Sequence, residues 1–164
     1  MSSDNDSQVL AERLGALLSA RSWTLVTAES CTGGGIASAC TDIAGSSGWF
    51  AAGLVTYTEA MKQRLLGVSA ELLTRHGAVS EPVARAMAEG ALAATDADLA
   101  LAVTGIAGPG GGEVLQPVGT VWFAWAERAA VTTTAVERFR GSRGAVRRAA
   151  VLRSLRGALA LLTD

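Results

Sequence analysis

Leu10, Leu14, Leu17 and Leu18 recur at helical spacing with Val9 beside them, which predicts a helix near the N-terminus. Residues 23–27, Trp-Thr-Leu-Val-Thr, form a short β-rich run that feeds a serine turn and three consecutive glycines. Small and apolar residues over 34–41 suit a packed helix, Gly45-Ser46-Ser47-Gly48 reads as a loop, and 51–58 reads as a second strand ending near Tyr57. Two helices are predicted after that strand, over 59–66 and over 81–94, with Pro82 tolerated in the first turn of the second. Residues 99–104 are almost continuously apolar, as in a central strand covered on both faces, and they discharge into Gly105-Ile106-Ala107-Gly108-Pro109-Gly110-Gly111-Gly112. Residues 118–126 and 131–139 predict a hairpin, and 145–162 a terminal helix with Val146, Leu152, Leu155 and Leu159 on its apolar positions.

Helices and strands in this alternation predict an α/β protein, a three-layer α/β/α sandwich with a mixed sheet between two helix layers. Ligands in such folds bind at the carboxyl ends of the strands, where the serine turn and the second glycine-rich loop both fall. A chain of 164 residues that is 49% hydrophobic supports one core, hence one domain over 8–164 behind a short polar tail at 1–7. That tail lacks a basic segment followed by an apolar one, so it does not read as a signal peptide, and no apolar run reaches membrane-spanning length. The net charge of −1 gives no drive toward nucleic acid or an anionic membrane. Two cysteines, Cys31 and Cys40, with a single histidine support neither a disulfide framework nor a zinc site, and the chain reads as cytoplasmic.

The chemistry concentrates in Thr27-Ala28-Glu29-Ser30-Cys31-Thr32-Gly33-Gly34-Gly35. A strand-to-helix turn presents unpaired N–H groups with partial positive charge, which suit an anion or a developing oxyanion, and Ser30 is then a candidate nucleophile. Taken alone, the same residues also describe a capped helix after a glycine turn. The second loop matches no nucleotide signature. It lacks the Lys-Ser/Thr of a P-loop, and Glu113 stands where a third dinucleotide-motif glycine belongs, so no cofactor is expected; a surface excursion is its plain alternative. A serine nucleophile needs a base. His76 reads as a turn or helix-end residue, whereas Lys62, the only lysine, follows the only tyrosine, Tyr57, by five positions. A Ser-Lys arrangement needs burial to lower the lysine pKa; otherwise Lys62 is a solvated helix residue and Tyr57 a core-edge one. Arg140, Arg143 and Arg147, at roughly helical spacing, are either phosphate ligands or a solvated basic face.

Six ordered motifs carry a resemblance. They are Thr27-Ala28-Glu29-Ser30-Cys31-Thr32-Gly33-Gly34, Gly45-Ser46-Ser47, Val55-Thr56-Tyr57 with Lys62, Leu65-Leu66-Gly67-Val68, His76-Gly77-Ala78-Val79-Ser80 and Thr104-Gly105-Ile106-Ala107-Gly108-Pro109. Together they resemble the CinA C-terminal domain family over nearly the whole chain. The resemblance implies nicotinamide mononucleotide amidase activity in pyridine nucleotide recycling, with the family's serine, tyrosine and lysine at Ser30, Tyr57 and Lys62. Substrate contacts are expected at Thr32, Gly33, Gly34, Ser46, Ser47, Thr104, Gly105, Ala107, Gly108 and Arg143. A homo-oligomer is expected, without metal, nucleic acid or membrane as partner. The chain departs from the family pattern at Thr58-Glu59, where Ser-Asn is frequent, and at Ser142, where Asp is common before the arginine. Two other readings stay open: a noncatalytic nucleotide-binding or regulatory module, and a cysteine-dependent acyl transferase using Cys31.

Overall fold

A computed structural model describes residues 3–164, with side chains from Ser7 onward. The elements run α1 (Ser3–Ala20), β1 (Leu25–Glu29), α2 (Gly35–Thr41), a 3-10 turn at Ser46–Gly48, β2 (Phe50–Val55), α3 (Glu59–Leu66), α4 (Ala70–His76) and α5 (Glu81–Ala94). They continue through β3 (Leu99–Gly105), β4 (Thr120–Glu127), β5 (Thr133–Arg138) and α6 (Arg143–Thr163). The strands form one sheet in the order β2-β1-β3-β4-β5. β1 runs parallel to both β2 and β3, while β3, β4 and β5 pair antiparallel, so the sheet is mixed.

Strand alternation divides the interior into two cores. Leu99, Leu101 and Val103 of β3 point with Leu25, Phe123 and Trp125 toward Leu14, Leu18, Ile36 and Leu155, so α1, α2 and α6 cover that face. Ala100 and Ala102 point the other way with Val26, Ala28 and Ala124, against Val83, Met87 and Ala88 of α5, which α3 and α4 flank. The three-layer architecture expected from the alternating pattern is therefore present. Alanines on both the sheet and α5 let that helix approach closely, because each side presents only a methyl group.

Three boundaries differ from the sequence expectation, each for a local reason. β1 lies two residues later than 23–27 because Glu29, which reads as a turn residue, is fully buried and has its carboxylate satisfied. β2 ends at Val55 rather than near Tyr57, since the chain there turns to place Thr58 as the N-cap of α3, its hydroxyl accepting from Met61 N–H. A third helix, α4, follows β2, with Ser69 as N-cap and His76 as its last residue. The departures from the family pattern at Thr58 and Ser142 both fall on N-cap positions, where Thr and Ser accept the required bond. α1 is helical from Ser3, so of the tail expected at 1–7 only residues 1 and 2 lie outside the described residues. No helix among the described residues is long and apolar enough to cross a membrane.

Candidate active site

The carboxyl ends of β1, β2 and β3 lie side by side, and each delivers one part of the site. β1 ends in Glu29 and Ser30. The Glu29 carboxylate accepts from Thr32 Oγ1 at 2.7 Å, Ile36 N–H at 2.8 Å, Ala37 N–H at 2.9 Å and Thr27 Oγ1 at 3.1 Å. Two of those donors are first-turn N–H groups of α2, which lack partners within the helix. A carboxylate at that position is favoured by the helix dipole as well. Glu29 thus ties strand end, turn and helix start into one rigid unit. Gly33 (φ 59°) and Gly34 (φ 96°) take the left-handed conformations that let the turn enter α2.

β2 and α3 bring in Lys62, the candidate base. Lys62 is only 1% exposed, and its Nζ donates to Thr56 O at 2.7 Å and Tyr57 O at 3.3 Å while lying 2.9 Å from Ser30 Oγ. Burial lowers the Lys62 pKa from its ordinary value, against smaller opposing influences of Cys31 and Glu59. A neutral amine has two hydrogens and one lone pair. In that form the two carbonyls can take the hydrogens and leave the lone pair to the Ser30 hydroxyl, an arrangement in which Lys62 can act as a general base. Ser30 itself is 8% exposed and opens on a cleft of about 170 Å³ lined by Ser30, Cys31, Tyr57, Lys62, Thr104 and Arg143 among others. Sites that enclose a whole drug-sized ligand measure about 300–1,000 Å³, so this cleft is too small to enclose a whole ligand of that size.

The other expected residues divide into those at the cleft and those elsewhere. Tyr57 is 62% exposed at the mouth, and its hydroxyl accepts from Arg143 Nη2 at 3.1 Å. Arg143 also donates to Gly108 O at 2.7 Å, so it joins the first turn of α6 to the second glycine loop. Gly105 and Ala107 line the cleft; Thr104 is buried, its hydroxyl donating to Ala78 O at 2.8 Å. The Thr32 hydroxyl is engaged by Glu29, and the Gly33 N–H donates to Ser30 O. Ser46 and Ser47 lie in the 3-10 turn that leads into β2, beside the start of β1, where Leu25 N–H donates to Trp49 O. That places them at the opposite end of the sheet from Ser30 within this chain. Arg140 and His76 are exposed and do not line the cleft. Among the described residues, no cluster of His, Cys, Asp and Glu could hold a metal.

Four residues escaped the sequence reading of their roles. Glu29 was visible as the one charge in an apolar run, but its buried role depends on α2 folding back over it. Ala78 and Val79, which line the cleft from the loop before α5, carry no chemical signature in the sequence. Arg147, read as a phosphate candidate, instead donates to Cys31 O at 3.1 Å and Thr32 O at 3.2 Å.

Known proteins resemble this chain over nearly its whole length. The CinA C-terminal domain profile matches residues 7–162. The nicotinamide-nucleotide amidohydrolase PncC of Escherichia coli strain K12 is 52% identical over 152 residues, 93% of this chain and 92% of that protein. The protein of the same name from Pseudomonas putida is 51% identical over 155 residues, 94% of this chain and 96% of that one. Among solved structures, the competence/damage inducible protein CihA of Agrobacterium tumefaciens superposes with a TM-score of 0.93 at 44% identity, covering 97% of this chain and 96% of that one. With the matched profile spanning almost its whole length, the chain belongs to the CinA C-terminal domain family.

Proposed function

We propose that the chain is a hydrolase that converts nicotinamide mononucleotide into nicotinate mononucleotide and ammonia, with Ser30 as nucleophile and Lys62 as its base. The observation that carries this reading is the buried Lys62 Nζ, 2.9 Å from Ser30 Oγ with two carbonyls holding its remaining hydrogens. The substrate class rests on relatives about half identical over more than nine-tenths of the chain that are named for this activity. A neutral lysine also suits this ligand, because the pyridinium ring is cationic and a charged ammonium beside it would repel it.

Ser30 Oγ attacks the carboxamide carbon as its proton passes to Lys62 Nζ, and the carbonyl electron pair moves onto oxygen. Collapse of that adduct breaks the C–N bond, and the departing nitrogen takes the proton from Lys62 and leaves as ammonia. Water then attacks the ester, giving a proton to Lys62. The second collapse frees the acid and returns that proton to Ser30. Tyr57, its hydroxyl polarised by Arg143, assists proton transfer at the cleft mouth, and Arg143 takes the substrate phosphate. The acid formed re-enters pyridine nucleotide recycling. Cys31 is a poor rival nucleophile: burial pushes its thiol up to about 11, whereas reactive cysteines have lowered values. Both cysteines are free thiols, which supports a cytoplasmic setting. The exposed Val114 and Leu115 offer apolar surface for the homo-oligomer that belongs to the same proposal.

Ammonia release from nicotinamide mononucleotide, with mass analysis of the quenched protein, tests the reading. Wild-type protein should release ammonia and carry a transient acyl adduct on Ser30, and Ser30→Ala should bind substrate, keep its melting temperature and release none. Near-wild-type turnover in Ser30→Ala rejects the nucleophile. Binding without ammonia release by the wild-type chain favours the noncatalytic nucleotide-binding module.

A further inference from the structure

Arg147 sits one helical turn beyond Arg143 on α6, yet its guanidinium turns to the backbone of the serine turn, donating to the carbonyls of Cys31 and Thr32. Each carbonyl shares a planar peptide with the N–H of the next residue, and in a trans peptide the two point in opposite directions. Holding Cys31 O therefore fixes the direction of Thr32 N–H. Holding Thr32 O likewise fixes Gly33 N–H, which donates to Ser30 O at 3.1 Å, and that carbonyl shares its peptide with Cys31 N–H. Of the two N–H groups orientated in this way, that of Thr32 donates to no acceptor among the described residues, and that of Cys31 faces only its own thiol. They directly follow the nucleophile along the chain.

We propose that Arg147 is a positioning residue that aims the Cys31 and Thr32 N–H groups at the oxyanion formed when Ser30 attacks the substrate carbonyl, an inference that rests on the amidohydrolase reading above. The guanidinium withdraws electron density through the Cys31 carbonyl and so strengthens the Thr32 N–H, and through Thr32 O and the Gly33 N–H it acts in turn on the peptide that carries the Cys31 N–H, as hydrogen-bonded groups polarise one another. A lysine cannot reproduce this, because one ammonium does not offer the rigid fork that spans two successive carbonyls. The oxyanion exists only in the transition state and intermediates. The effect must accordingly fall on kcat and leave ground-state binding nearly intact.

The test compares wild-type protein with Arg147→Lys, Arg147→Ala and the control Arg148→Ala on nicotinamide mononucleotide. Loss of one oxyanion donor costs about 10²–10³-fold in kcat. Misaiming two without removing them should cost about 10–100-fold in both Arg147 variants, with KM changed less than about threefold. Added guanidinium ion should restore part of the kcat of Arg147→Ala, and Arg148→Ala should match wild type. An unchanged kcat, a loss confined to KM, or a loss that tracks a fallen melting temperature and resists guanidinium overturns the positioning role. Absence of amidase activity or of a Ser30 adduct in the wild-type protein would instead overturn the underlying reaction, so the two failures are distinct.

Discussion

Lys62 is the residue on which the site's electrostatics turn. Its folded-state pKa lies below the unfolded value of 10.5 because burial disfavours the charged form. Between those two values the unfolded chain binds a proton that the native one does not, so stability rises with pH across that window. Cys31 and Cys40, pushed up to about 11 and about 12 by burial, act in the opposite sense only above their ordinary value of 9.0. Lys62→Met should therefore flatten the rise in urea midpoint as pH climbs toward 9.0, below the range in which the cysteines act. The same variant should lower kcat by about 10²–10⁴-fold, the usual contribution of a general base. A retained pH slope with lost activity would assign the slope to other groups, and retained activity would remove Lys62 from the chemistry. The wild-type rate should rise with pH through the lowered lysine pKa and level off well below 10.5, which a pH profile of kcat/KM measures.

At the scale of elements, α3 is a short lever that carries Lys62 and ends where it meets α5. The Leu66 carbonyl closes against Gly90, so a methyl group there would fall on backbone atoms of Leu66 that no rotamer can move aside. Gly90→Ala should cost about 1–3 kcal/mol as an overpacking substitution. It should also reduce turnover, because Lys62 lies one turn before Leu66 and shifts with the helix. Gly48→Ala meets open space at a conformation any residue adopts, so it should be neutral or stabilise by up to about 1 kcal/mol. Thermal melts of both variants with parallel assays decide the point: equal behaviour would mean that the α3 and α5 contact yields without strain. The periodic elements α5, β3 and α6 were legible in the sequence because each shows a complete apolar pattern. The end of β1 was not, since a buried carboxylate breaks the pattern on which such readings depend.

For the whole molecule, Arg143 connects three distant parts: the start of α6, Gly108 in the loop after β3, and Tyr57 between β2 and α3. If its guanidinium also receives the substrate phosphate, Arg143→Gln should lower kcat/KM on nicotinamide mononucleotide by about 10–100-fold, the range of a charge-assisted contact. Use of the dephosphorylated riboside should fall much less, since it makes no such contact. Equal proportional losses on both substrates would show that Arg143 serves only to hold the Gly108 loop and Tyr57 in place.

Local pattern determined the layered α/β architecture and the two glycine-rich turns at strand ends, because periodicity and turn chemistry act over a few residues, and the six ordered motifs of the family resemblance then singled out Ser30, Tyr57 and Lys62. Tertiary structure decided which atoms meet. The sheet order inserts β1 between β2 and β3, which sets Lys62 against a serine 32 positions earlier. The packing of α6 across the turn made Arg147 a backbone clamp and left Arg143 at the cleft, although both share one helix face and one side-chain type. Ser46 and Ser47, close to Ser30 in sequence, went to the far end of the sheet because a parallel strand pair must return the chain to its starting edge. Such outcomes depend on which surfaces bury each other across the chain, and no short stretch of sequence encodes that.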